Sequence, residues 1–135
     1  MSCPLSRAWR KVFGFAGVAA LLVTGCSRRE GPQQAITVDH EIRPLPAHAG
    51  PATLTLRLTD GANGAVTGAH IAMEADMTHA GMAPAFGEAK EIEAGRYQSP
   101  LVFPMAGDWV ILLHITLADG KKFERQFEVR GVQPN

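Results

Sequence analysis

The chain has 135 residues with 13 Lys+Arg against 13 Asp+Glu, a formal net charge of zero at pH 7, so composition implies no bulk attraction to nucleic acid. A hydrophobic fraction of 46% with only 19% charged residues argues against intrinsic disorder, and the length suits one domain. Nine Pro and 14 Gly point to turns and short strands and away from a helical bundle.

Residues 1–11 hold Arg7, Arg10 and Lys11 and no acid, and residues 12–23 (VFGFAGVAALLV) form an unbroken apolar and Gly run. A positive n-region followed by an h-region is the pattern of a secretory signal, and the run falls short of the roughly 20 residues a spanning helix needs. It ends in Val23-Thr24-Gly25-Cys26, which resembles the lipobox of bacterial lipoproteins: an aliphatic residue, two small ones, then Cys, with Val where Leu is commoner. The resemblance implies that residues 1–25 are a lipoprotein signal peptide, cut away to leave Cys26 diacylated on its thiol and acylated on its new amino group. An ordinary secretory peptide or an uncleaved signal anchor would instead leave Cys26 a free thiol. One acyl chain binds a bilayer only reversibly, so several on Cys26 would anchor the chain for good, facing the periplasm or extracytoplasmic side of a bacterial envelope. Cys3 would leave with the signal, and no disulfide could then form. The mature chain would keep 10 basic and 13 acidic residues, a formal charge of minus 3.

Residues 26–35 read as a lipidated polar tether, residues 36–130 as the folded domain and 131–135 as a short tail. Within the domain, period-2 alternation recurs between turns. Ile36, Val38 and Ile42 share a face, with Thr37, Asp39, Glu41 and Arg43 opposite. Leu54, Leu56 and Leu58 alternate with Thr53, Thr55, Arg57 and Thr59, and residues 60–64 (DGANG) supply a turn. Ile71, Met73 and Ala75 form the next face. After a loop of small residues come residues 97–103, then Trp109, Ile111, Leu113, Ile115 and Leu117. Asp119-Gly120 signals a hairpin, and the last strand groups Phe123, Phe127 and Val129. Arg125 falls on that apolar face, so a bulge or a sheet edge is expected there. The pattern predicts an all-β fold, an immunoglobulin-like antiparallel β-sandwich of six to seven strands.

Four short motifs stand out: Glu74-Ala75-Asp76-Met77, the loop Thr78-His79-Ala80-Gly81-Met82, Gly95-Arg96-Tyr97, and Met105-Ala106-Gly107-Asp108-Trp109. Through them, residues 54–117 resemble the YtkA-like domain, also seen in the FixH family. The resemblance implies a small envelope β-sandwich, sometimes linked to copper handling or to assembly of respiratory oxidases, with no enzyme activity. FixH proteins usually carry an integral membrane anchor, where this chain has the lipobox-like Cys26.

Met77, His79 and Met82 place two thioethers and one imidazole within six residues of chain. Soft sulfur suits Cu(I) and imidazole is accepted by both copper states, so this loop is a candidate Cu(I) site with Met105 as a possible fourth ligand. Met is also a general core filler, and Met73 and Met77 continue the face of Ile71, so either could simply pack. A second reading is a non-metal interaction module that presents the Met/Gly loop or a sheet edge to an envelope partner, a transporter or an oxidase subunit.

His40 lies in register with Val38 and Ile42, as a partly buried His would. His114 is expected on a solvated face, while His48 in a Pro-rich loop and His70 at a strand start have no spaced partner. Tyr97 after Gly95 has the pattern of a tyrosine corner and Trp109 that of a core residue, both structural roles. Glu88, Glu91 and Glu93 look like a solvated face. No Gly-rich phosphate loop, HExxH, GxSxG or CxxC occurs, so no enzyme activity is expected.

Overall fold

A computed structural model describes residues 35–79 and 81–135. The expected signal peptide, the acylated Cys26 and most of the tether lie outside them. Among the described residues all regular structure is β: β1 (Thr37–Arg43), β2 (Gly50–Thr59), β3 (His70–Met77), β4 (Ala85–Glu93), β5 (Arg96–Phe103), β6 (Gly107–Thr116) and β7 (Lys122–Val132). Every neighbouring pair is antiparallel, in the order β1-β2-β5-β4-β3-β6-β7. Strands β1-β2-β5-β4 form one layer and β3-β6-β7 the other, which is the strand arrangement of an immunoglobulin-like sandwich. Seven strands therefore form, the upper end of the expected count.

The alternating positions fill the space between the layers. Leu54, Leu56 and Leu58 of β2 and Trp109, Ile111, Leu113 and Ile115 of β6 are buried, against Ile71, Met73, Ala75, Tyr97, Leu101 and Phe103. Trp109 lies tilted on Phe103, ring centroids 5.6 Å apart, a favourable edge-on geometry for two aromatic quadrupoles. Ser99 is the one buried polar residue among the described residues, and its hydroxyl donates to the Pro100 carbonyl at 3.0 Å.

β4 occupies what the alternation presents as a loop followed by a solvated acidic face. It pairs with β3 through residues 85–89 and with β5 through residues 90–93, so it crosses from one layer to the other. The two layers close on it, which leaves room inside only for Ala85, Gly87 and Ala89. A Cβ on Gly87 would stand 2.9 Å from the Met73 methyl and 3.2 Å from Ser99 Oγ. The period of two is present, written in small residues instead of large apolar ones.

β7 is an edge strand, in keeping with the charge on its apolar face. Arg125 lies over the Phe123 ring at 4.9 Å and donates to the Ile36 carbonyl at 3.2 Å, and His40 of β1 stacks on Phe127 at 3.7 Å. His40 is exposed over much of its surface, yet partial burial lowers its pKa below the usual 6.5, opposed by the charge of Asp39. The domain also runs past its expected end at residue 130: Val132 is buried, and Gln133 exchanges backbone hydrogen bonds with Ala47 and Ala49 at 2.9 and 2.7 Å.

Registry defines two ends of the sandwich. At one, here the proximal end, Thr37 pairs with Thr59, His70 with Thr116 and Glu93 with Arg96, and the described chain begins there at Ala35. At the other, the distal end, Met77 pairs with Trp109, Gly50 with Phe103 and Gly107 with Val132.

Tyr97 holds the proximal end. Its side chain is fully buried, and its hydroxyl donates to the Val66 carbonyl at 2.8 Å and accepts from Ala69 N–H at 3.0 Å, fastening the β2–β3 connection to the core. This is the back-bonding of a tyrosine corner made from β5. Glu91, on the expected solvated face, serves the same end by accepting from Gly68 N–H at 3.0 Å and Gly95 N–H at 3.2 Å. Burial raises the Tyr97 pKa above 10.0; the Ala69 bond opposes the shift and the Glu91 charge adds to it. Because the folded value is the higher one, the stability contributed by neutral Tyr97 is complete below pH 10 and is lost as pH rises through the raised value. Chemical denaturation across alkaline pH should show this fall, and Tyr97→Phe should flatten it while costing about 1–3 kcal/mol at neutral pH for the two backbone groups left unpaired. An identical alkaline slope in the variant would assign the loss to other groups.

Candidate functional site

The distal end is built from three connections: residues 44–49 (PLPAHA), 78–84 (THAGMAP) and 104–106 (PMA). None contains Asp, Glu, Lys or Arg. Asp108 ties the second of them to β6 and to the end of β7. Its carbonyl accepts from Thr78 N–H at 3.0 Å and from the Thr78 hydroxyl at 3.2 Å, and its carboxylate accepts from Gly131 N–H at 2.8 Å. Nothing in the spacing of the sequence marks Asp108 for this part; its position just inside β6, opposite the end of β3, decides it.

Met77, His79, Met82 and Met105, the candidate soft ligands, all lie at this end. Met77 is half-buried against the core at the last position of β3. Its methyl covers Gly107 so closely that a Cβ there would sit 2.5 Å from it. Gly107 has φ +136°, a conformation that side chains rarely adopt, so both backbone and space require glycine. This contact sets Met77 beside the corner that carries Met105. The Trp109 indole N–H donates to the Met105 carbonyl at 3.1 Å and fixes that corner's backbone. His79 is exposed, with Nδ1 3.5 Å from the Thr78 hydroxyl, and Thr78 is held to Asp108. Met82 and Met105 are 38% and 44% exposed. The β3–β4 loop and the β5–β6 corner thus share one end of the molecule, with an exposed Met side chain on each.

Among the described residues, no three His, Cys, Asp or Glu side chains converge as a metal-holding group. A metal at the distal end would depend on thioether sulfur, with His79 as its imidazole. His48 also belongs to this end, where its backbone bridges to Gln133 in parallel. The other histidines are elsewhere. His70 lies 3.6 Å from Glu88, and His114 stands on the solvated outer face of the β3-β6-β7 layer, as expected, between Glu124 at 2.9 Å and Glu74 at 3.8 Å.

The same end gathers apolar surface. Leu45, Met82, Phe86, Val102 and Met105 are exposed there, Phe86 to 75%; of the large exposed hydrophobic residues among the described ones, only Ile92 lies toward the proximal end. Single exposed apolar residues are ordinary, whereas large contiguous apolar patches mark interaction surfaces; here five such residues lie toward an end whose three connections carry no charge.

A family model described as YtkA-like matches residues 33–114, which run from before β1 into β6 and include Met77, His79, Met82 and Met105. Among curated proteins no sequence match is found.

Proposed function

This chain belongs to the YtkA-like family, and from that footing we propose that it is an envelope lipoprotein whose distal end binds Cu(I) and hands it on. The observation that carries the reading is the sharing of one end by Met77, His79 and Met82 on the β3–β4 side and Met105 on the β5–β6 corner, with no acidic residue in the connections between. Thioether sulfur prefers a soft monovalent ion, and hard cations find no cluster of oxygen ligands there. Exposure of Met82, Met105 and His79 suits a site that loads and unloads. The lipobox-like Val23-Thr24-Gly25-Cys26 supports anchoring through an acylated Cys26. We assign the protein no reaction.

The test is Cu(I) uptake by the reduced protein against a weak competing chelator, compared with Met77→Leu/Met82→Leu. Leu conserves bulk and apolarity, at a folding cost under about 1.5 kcal/mol per site, so the double variant should stay folded and lose uptake. The mass of the N-terminal peptide checks the anchor, which requires acyl chains on Cys26. Equal uptake by both proteins, or none by either, favours the second reading: an interaction module that docks its distal end, with Leu45, Phe86 and Val102 exposed, on an envelope protein.

A further inference from the structure

The methionines of the domain form a graded series. Met105 is 44% exposed and Met82 38%; Met77 is half-buried with its methyl pressed onto Gly107, and Met73 is 2% exposed among the core side chains. Oxidation of a thioether requires that an oxidant reach sulfur, and its product is polar. At Met82 and Met105 both conditions are met without disturbing the core, since the sulfoxide would stand in water. At Met73 the oxidant is excluded, and a sulfoxide would be an unpaired polar group between the layers.

From this gradient we propose that Met82 and Met105 are a peroxide-modification site that switches the chemistry of the distal end while the sandwich stays folded. A sulfur lone pair attacks the terminal oxygen of hydrogen peroxide, the O–O bond breaks, and the departing hydroxide takes a proton to become water. Sulfur loses two electrons, the peroxide gains them, and each Met becomes a sulfoxide. Connections that hold no charged side chain thereby gain two strong hydrogen-bond acceptors. Resting on the copper reading, a further consequence is that the donor available to the metal changes from soft sulfur to hard oxygen, which Cu(I) disfavours. Reduction by methionine sulfoxide reductases restores the thioethers.

The experiment treats the full-length protein with limiting hydrogen peroxide and follows each Met peptide by the mass of one added oxygen atom. Met82 and Met105 should be modified at least about tenfold faster than Met73, with the β-type far-UV spectrum unchanged, and the difference should vanish in denaturant. The proposal is overturned if Met73 in the folded protein reacts as fast as Met82, or if the spectrum is lost in step with modification at the distal end. A second arm measures Cu(I) uptake before and after peroxide. Loss on oxidation with recovery after reductase supports the switch, and undiminished uptake by the doubly oxidised protein refutes it. If the reduced protein takes up no Cu(I), the copper reading falls by itself, and the order of oxidation still decides the modification site.

Discussion

Trp109→Ala is expected to cost about 3–5 kcal/mol of folding stability, a large share of what holds a domain of this size together. The side chain is fully buried between the layers, tilted on Phe103, and paired in register with Met77. Truncation removes that packing, leaves a cavity, and orphans the Met105 carbonyl that the indole N–H now satisfies. Urea denaturation of the variant against wild type measures the loss. Trp109→Phe separates the components, since it keeps most of the apolar bulk and discards the hydrogen bond. A change near zero for Trp109→Ala would mean that the ring is not the core element its burial describes.

Gly95→Ala should be the next most damaging change, at about 2–4 kcal/mol, because two independent costs add. Gly95 sits at φ +71° in the β4–β5 turn, where a Cβ is disfavoured by its own backbone. It would also stand 2.8 Å from the Ala65 Cβ and 3.0 Å from the Leu58 carbonyl oxygen. Leu58 is held in place by hydrogen bonds: its N–H donates to the Gly95 carbonyl, and its carbonyl accepts from Val66 N–H, the residue after Ala65. Ala65→Gly in the same chain removes only one of these contacts. The double variant should therefore recover part of the loss, and full recovery would show that neither the backbone angle nor the Leu58 oxygen matters.

These positions show what the amino-acid sequence discloses. Leu54, Leu56 and Leu58, and Trp109 through Ile115, announce their strands because a half-buried strand must alternate, and the burial follows that alternation. Gly95 before Tyr97 was legible as the pattern of a tyrosine corner, but its left-handed backbone angle was not. β4 was not, because a strand lying where two sheets close has inward positions too tight for Leu or Ile, and Ala and Gly carry little apolar signal. Arg125 could be placed at a bulge or an edge from its charge alone, but its acceptor, the Ile36 carbonyl, is distant in sequence and belongs to tertiary structure. The soft donors of the candidate site were legible as residue types, since Met and His in one short loop are seen at once. Their setting was not. That Met77 presses on Gly107, and that Asp108 ties the loop to the last strand, depends on β3 and β6 being neighbours.

The crossing of β4 from one layer to the other also bears on how the domain comes apart. A sandwich of two separate sheets can in principle open like a book, each leaf keeping its own ladder. Here residues 85–89 belong to one leaf and residues 90–93 to the other, on a single unbroken strand. Peeling the leaves apart would tear β4 from β3 or from β5, and its small inward residues leave no apolar bulk of their own to hold a half-sandwich closed. Neither leaf is therefore a stable intermediate, and the domain is built to unfold as one cooperative unit.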